Sequence, residues 1–432
     1  MKFNIKKLTS KSFVRNVIIM TTGTAAAQAV SLALSPIITR LYGPEAYGLM
    51  GVFMAIIQII APIAALSYPI AIVLPKSDKD AKGLIRLSLY ISVVIATIVA
   101  IILMFFSQKI VQLFQLEDIE PFLYLIPIVI LFASSLQVTE QWLIRTKQFA
   151  ITAKVSFLQA LLLQGSKVGI GFFHPIAAVL IVLTALGNGS KAFLLNLFLR
   201  RSNYKSPSTI NEESKSVSYL AKVHRDFPLY RAPQVFINGI SQNLPILLLT
   251  IFFGPASAGF YTIGRTVLGM PTQLIGKSVG DVFYPRITEA GNKGENLTRL
   301  IIKATLALGA IGIIPFGTIV IFGPWLFSVV FGADWLTAGE FARWMALWVF
   351  FMFINQPSVK SLPVMMAQAF HLKYSIFTII IRTGALIVGY YLFSSDVIAI
   401  AFFSISAAIL NIGLILITLQ ISKNFDMQRR GI

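Results

Sequence analysis

The chain has 432 residues, 56% of them hydrophobic and 12% charged, with a mean hydropathy of +0.79. Soluble domains carry about 25% charged residues, so an ordinary soluble enzyme of two or three domains is excluded, and so is disorder, which needs low hydrophobicity. The formal net charge is +19; in so apolar a chain the basic residues report membrane sidedness before nucleic acid, and no nucleic-acid partner is expected.

Crossing the hydrocarbon core takes about 20 apolar residues. In chain order, twelve runs qualify: 14–35, 45–74, 84–106, 121–139, 151–173, 175–199, 228–252, 256–284, 300–322, 338–358, 374–393 and 397–421. Polar residues interrupt the fifth and tenth, and the long second and eighth must tilt or protrude. The first run follows a basic start and contains small residues at Ala25–Ala27, as a cleavable signal peptide would. A counterpart later in the chain argues for a retained helix. The expected fold is all-α and polytopic, two pseudo-symmetric six-helix bundles at 1–199 and 228–432 joined by a basic cytoplasmic linker at 200–227.

Charge orients the spans. Lys2, Lys6, Lys7, Lys11 and Arg15 open the chain, and alternate connections carry Lys76, Lys79, Lys82 and Arg86, then Arg145, Lys147 and Lys154. The central segment adds Arg200, Arg201, Lys205, Lys215, Lys222, Arg225 and Arg231. The pattern continues through Arg286, Lys293, Arg299 and Lys303 to Lys423, Arg429 and Arg430. The intervening connections are short and acidic, with Glu45, Glu117, Asp118, Glu120, Asp334, Glu340 and Asp396. This positive-inside alternation places both termini in the cytoplasm and requires an even number of spans.

The two halves repeat. Gly43-Pro44-Glu45-Ala46-Tyr47-Gly48 recurs as Gly254-Pro255-Ala256-Ser257-Ala258-Gly259, Pro62 matches Pro271, and Pro75-Lys76 matches Pro285-Arg286. The offset is about 210 residues each time, and six spans per half make the repeats parallel, the plan of alternating-access carriers with a path between halves. Gly ends the preceding segment and Pro suits a first helical turn. Gly48 and Gly259 allow close helix approach. Pro62 and Pro271 are expected to kink the two long helices equivalently.

Arg15-Asn16 at the first span, Gln28 within it, and the run from Pro36 through Thr39-Arg40-Leu41-Tyr42-Gly43-Pro44-Glu45-Ala46-Tyr47-Gly48 resemble the bacterial polysaccharide (O-antigen and capsule, Wzx-type) flippases. Those belong to the superfamily that also holds the MATE-like multidrug extruders and the lipid II flippase. Span count, basic central segment and the Gly-Pro start of span eight fit the same family. The resemblance implies translocation of an undecaprenyl-diphosphate-linked oligosaccharide from the cytoplasmic to the outer leaflet of the inner membrane. It implies membrane lipids as partners, with polysaccharide polymerase machinery and H⁺ or Na⁺ as further candidates. No cofactor is implied.

Within the spans lie four cations away from the ends, Lys167, Arg265, Lys277 and Arg382, and one acid, Asp281. A charge at the bilayer centre costs ~2.5–3.5 kcal/mol on insertion scales, so each needs water, a partner or a function. A diphosphate cargo supplies one: Arg grips phosphate bidentately and Lys gives a mobile point charge. Lys167, one turn from Gln164, either lines a cavity or snorkels to the outer headgroups. Arg265 and Arg382 are placed in the cavity, with Lys167 and Arg382 opposed if the halves form a clamshell. Lys277 and Asp281, at i and i+4, form a structural ion pair, and Asp281 is the acid available for a coupling ion. Arg15 sits at the inner interface, beside cargo or anionic lipid. Arg40 stands against the charge rule and serves cargo exit, a salt bridge to Glu45, or packing. Trp325, Trp335, Trp344 and Trp348 stack on sugar or belong to an interfacial belt. Gln28, Gln58, Gln159, Asn238, Gln242, Asn243 and Asn411 line a polar path or join helices by hydrogen bonds.

Other classes fit less well. Cysteine is absent, so disulfides, iron–sulfur clusters and thiolate metal sites are excluded. His174, His224 and His371 are scattered, with no metal spacing such as HExxH. A membrane glycan polymerase or ligase would want a substantial outer loop bearing acids or bases, and no motif for such chemistry occurs; no enzyme is expected. A drug extruder of the same superfamily would favour an acidic cavity for cationic drugs, and a channel would want a filter-like loop.

Overall fold

In a computed structural model of the chain, residues 11–114, 117–202 and 215–430 are described, except for the side chains of 11–18, 21, 113–114, 273–282 and 429–430. The described residues are helical throughout apart from turns, with no strand among them. In order the helices are α1 (Lys11–Ile60), α2 (Tyr68–Ala71), α3 (Asp78–Phe114), α4 (Glu120–Leu123), α5 (Ile126–Arg145), α6 (Phe149–Gly171), α7 (Ala177–Arg201) and α8 (Val217–Val223). They continue as α9 (Ala232–Phe253), α10 (Pro255–Lys293), α11 (Leu297–Phe331), α12 (Leu336–Ile354), α13 (Gln356–Ser361), α14 (Gln368–Phe393) and α15 (Asp396–Arg430).

Nine stretches among the described residues are long and apolar enough to cross a membrane, one of them Thr22–Ile63, which runs through both limbs of α1. The more polar α6 and α10 are outside those nine and complete the twelve expected crossings. The outward faces are greasy: α3 exposes Val94, Met104 and Phe105, and α11 exposes Leu306, Ile313 and Ile314. Such faces suit lipid rather than water, since an exposed apolar patch of this extent is foreign to soluble monomers.

Contacts divide the chain into two units, Met1–Leu247 and Leu248–Ile432, so that α9 begins in one and ends in the other. The first unit packs α1 on α6 and α7, and α5 on α3 and α7. One core joins Tyr68 and Ile72 to Leu84, Val138 and Leu220; another joins Leu143, Val155 and Leu195. Leu220 belongs to α8, in the second half of the expected linker. That half is folded onto the unit: Tyr68 Oη donates to the Ala221 carbonyl at 3.1 Å, and Lys215 N donates to Asp80 Oδ1 at 3.0 Å. Ser216 caps α8 by accepting from Tyr219 N at 3.2 Å. Residues 203–214 of the linker lie outside the described residues.

The second unit packs α12 against α10, α11 and α15, and α14 against α15. Where α11 crosses α12, Gly323 and Gly339 bring backbone to backbone: a Cβ on either would fall within 2.7 Å of the other's carbonyl oxygen. Without a hydrophobic drive between helices in lipid, this small-residue contact is how van der Waals attraction is gained. The start of α11 is closed by two side chains. Asn296 Oδ1 accepts from Arg299 N at 2.7 Å, and Asp426 accepts from Leu297 N at 3.1 Å, Thr298 N at 3.0 Å and Thr298 Oγ1 at 2.8 Å.

The repeat is visible in the backbone and then diverges. Gly43 (φ 71°, ψ 174°) and Gly254 (φ 88°, ψ 176°) share a conformation that only glycine adopts freely, each followed by a proline that starts the next helical limb. Gly48 and Gly259 are both buried. The matched prolines, however, do not act equivalently. Pro62 lies in the 3₁₀ turn Ala61–Ile63, where the chain leaves the helix and passes through left-handed Leu66 and Ser67. Pro271 and Pro285 lie inside α10, which continues to Lys293. At the Pro62 break the Ala61 carbonyl accepts twice, from Ala64 N within the turn at 3.2 Å and from Gln137 Nε2 of α5 at 2.9 Å.

A Cβ at Gly254 would meet nothing within 4 Å, so the cost of Gly254→Ala is backbone strain alone, about 1–3 kcal/mol. The thermal midpoint of purified Gly254→Ala should fall, and Gly43→Ala should match it. An unchanged midpoint in both would show that the junctions relax out of this conformation.

Candidate functional site

In the first unit the Tyr42-Gly43-Pro44 stretch meets α6. Tyr42 Oη donates to the Lys167 carbonyl at 2.8 Å, and the tyrosine ring lies over Gly171, where any Cβ would collide with it. Lys167 itself is 7% exposed, and its Nζ is 3.6 Å from Met50 Sδ in the second limb of α1. It neither snorkels to the surface nor lines an open wall. A buried ammonium held by a carbonyl-anchored helix and a thioether is a costly arrangement without an anion. Arg40 is exposed, and Arg15 lies where side chains are outside the described residues.

The second unit holds the richer site. Arg382 of α14 lies with its guanidinium 4.4 Å from the Phe403 ring centre and 4.9 Å from that of Trp348. The two rings meet edge to face at 6.2 Å. Arg265 of α10 is close enough for its charge to act on Arg382, and the buried Tyr261, one turn before Arg265, feels both. Arg382 Nε and Trp348 Nε1 are buried and have no hydrogen-bond partner among the described residues. No carboxylate is paired with Arg382 among the described residues. Two guanidinium groups, a phenol and an indole N–H thus lie close together, two of the donors, Arg382 Nε and Trp348 Nε1, being without an acceptor among the described residues. Buried donors normally find partners, and the partner that would satisfy these is an anion with several oxygens.

The remaining expectations separate. Trp335 is buried to 1% exposure against Phe260, so it packs rather than stacking on sugar. Trp348 is taken by Arg382, while Trp325 is exposed. Asn411 joins α15 to Asn355 at 3.1 Å, Gln159 joins α6 to the Gly187 carbonyl at 3.4 Å, and Asn243 bonds its own helix at Gly239. For Asn411 and Gln159 the bond joins helices; that of Asn243 lies within α9. The side chains of Lys277 and Asp281, the expected ion pair and coupling acid, lie outside the described residues.

Sequence reasoning missed one pair. Lys191 of α7 binds Glu140 of α5 at 2.7 Å, and the neighbouring Asn196 donates to Thr139 at 3.1 Å. Glu140 stands one residue beyond the fourth apolar run, 121–139, and Lys191 lies inside the sixth, 175–199. The signal was available: a lysine well inside span six needs a partner. Among the described residues no group of His, Asp and Glu could hold a metal ion.

A family model for polysaccharide biosynthesis proteins matches residues 37–340. Among curated proteins, the inner membrane protein YghQ of Escherichia coli (strain K12) is 36% identical over 95 residues, 21% of this chain and 26% of that protein. The succinoglycan biosynthesis transport protein ExoT of Rhizobium meliloti (strain 1021) is 22% identical over 353 residues, 78% of this chain and 66% of that protein. The matches therefore span about a quarter and just under two thirds of these relatives. Among solved structures, the lipid II flippase MurJ in an inward closed conformation superposes with a TM-score of 0.69 at 15% identity, covering 94% of this chain and 90% of that one. An inward-facing MATE-family multidrug transporter gives 0.67 at 13% identity, covering 92% and 95%. At such identities the likeness establishes the fold: an all-α, polytopic membrane architecture of the MATE type.

Proposed function

Because this chain belongs to the polysaccharide biosynthesis protein family, we propose that it is a flippase that carries an undecaprenyl-diphosphate-linked oligosaccharide from the cytoplasmic to the outer leaflet of a bacterial inner membrane, for surface polysaccharide assembly. The observation that carries this reading is the Arg265–Arg382–Tyr261–Trp348 cluster, whose buried donors at Arg382 and Trp348 await acceptors. A diphosphate diester bears about two negative charges and several acceptor oxygens, the complement of two guanidinium groups. Lys167, buried beside Met50, is a third cation for the same cargo at another stage of passage.

The transport names of ExoT and of the MurJ structure support the same direction of thought. Transport proceeds by alternating access of two six-helix bundles, 1–199 and 228–432, with both termini cytoplasmic as the basic connections require. The chain acts as a carrier and not as an enzyme. Drug extrusion, the activity of the structurally similar MATE transporters, is disfavoured by the sign of the charge in this cluster: a cationic drug would meet two arginines.

The test is leaflet assignment of the lipid-linked glycan in a strain lacking the gene. The unit should accumulate facing the cytoplasm, with surface glycan lost and restored by the wild-type chain. Normal surface glycan in a strain with no second flippase would overturn the proposal.

A further inference from the structure

Away from this cluster, the start of α11 and the end of α15 line an open cavity of about 640 Å³. Its lining includes Arg299, Lys303, Lys423 and Asp426. The acid is already spent: Asp426 is buried and accepts three hydrogen bonds from Leu297 and Thr298, closing the helix start. The three cations are not spent. All three are exposed, and none is ion-paired among the described residues. Three positive charges against one committed carboxylate leave the cavity with a surplus that matches an anion of one or two charges.

Its position selects the anion. Leu297–Phe331 and Asp396–Gln428 both qualify as membrane crossings, so the cavity lies where two crossings reach the membrane edge, on the side with the basic connections. Beneath it runs an apolar track. Ile302, Leu306 and Ile313 share one face of α11, and Met427, Leu416 and Ile409 share one face of α15; all six are exposed. Cations at the headgroup level above two greasy stripes fit a molecule with a phosphate head and acyl tails. Basic pockets between transmembrane helices at the cytoplasmic side take anionic headgroups for this reason.

We propose that this cavity is a binding site for the phosphodiester headgroup of an anionic phospholipid of the cytoplasmic leaflet, with Arg299, Lys303 and Lys423 holding the phosphate and the α11 and α15 stripes receiving the chains. The site is separate from the Arg265–Arg382 cluster. It rests on the membrane placement of α11 and α15 and not on transport, so failure of either proposal leaves the other standing.

The experiment counts lipids retained by the purified full-length chain, by native mass spectrometry from micelles doped with phosphatidylglycerol, cardiolipin or phosphatidylcholine. Each cation near an anionic headgroup is worth about fivefold in affinity, so Arg299→Gln/Lys303→Gln/Lys423→Gln should weaken phosphatidylglycerol and cardiolipin retention about a hundredfold. Phosphatidylcholine retention should not change. A charge-matched control, Arg200→Gln/Arg201→Gln/Lys222→Gln, should bind as the wild type does. If the triple variant does not fold, Lys303→Gln alone should still lose about fivefold. Equal loss in the control would reduce the effect to net charge and overturn the site. Displacement of the lipid by millimolar inorganic pyrophosphate would assign the cavity to a free or cargo diphosphate and overturn the lipid assignment. Unchanged retention in the triple variant would overturn it outright.

Discussion

Arg382→Ala lowers surface-glycan delivery about ten- to a hundredfold in a complemented deletion strain, with normal amounts of the protein in the membrane. The magnitude follows from the interaction removed: a hydrogen bond to a charged group contributes about 1.5–3 kcal/mol, and each 1.4 kcal/mol is about tenfold. The fold should survive, because the guanidinium makes no hydrogen bond to the protein through Nε and leans on Trp348 and Phe403 instead. Arg382→Lys should recover little. Lysine keeps the charge but loses the planar fork and much of the guanidinium's contact with the Trp348 and Phe403 rings. Arg265→Ala should fall in the same range. If both arginines hold one group, the double variant should be scarcely worse than either single, since neighbours that share a ligand are not additive. Full activity in both single variants would reject the cationic site. Additive losses with separate effects on loading and release would place the two arginines at different stages of passage.

How much of this was legible beforehand depends on the kind of signal. The crossings were readable because each is a long apolar run, and lipid demands that helices satisfy their own backbones. The junctions at Gly43 and Gly254 were readable because Gly-Pro before a span has few other uses, and both glycines take φ values of 71° and 88°. Pro62 and Pro271 were legible as landmarks but not in their consequence. Proline removes a donor in either case, yet the chain leaves the helix at Pro62, where Gln137, distant in sequence, bonds the turn, and stays helical through Pro271. The same limit applies to the site. Sequence could nominate Arg265 and Arg382 as interior cations. It could not show that the ring centres of Trp348 and Phe403 lie 4.9 and 4.4 Å from one of them, because the three come from α12, α14 and α15. It could not show that Lys167 would be buried against Met50, or that Lys191 would find Glu140. Partners across helices are set by rotation about each helix axis, which periodicity in so uniformly apolar a chain barely constrains.

The largest effect on stability should come from a residue that touches no cargo. Arg145, at the end of α5, donates through Nε to Asp78 Oδ1 at 2.9 Å and through Nη1 to the Ile72 and Pro75 carbonyls at 3.2 and 2.7 Å. Nη2 reaches the Lys76 carbonyl at 3.3 Å. One guanidinium therefore serves three carbonyls and a carboxylate at the break between α2 and α3, and its side chain is only 11% exposed. Arg145→Ala removes the hydrogen bonds to three carbonyls and the ion pair to Asp78. Breaking a buried pair costs about 3–5 kcal/mol, and Asp78, at 24% exposure, retains some water, so a loss of about 2–4 kcal/mol is expected. It would be read as a lower midpoint of thermal unfolding in detergent. Arg145→Lys should recover less than half, because an ammonium cannot span acceptors on both sides of the turn. In a double-mutant cycle, Asp78→Ala should cost much less in the Arg145→Ala background than in the wild type. If Arg145→Lys unfolds with the wild-type midpoint, charge alone holds the α2–α3 turn against α5, and the carbonyl contacts contribute nothing measurable.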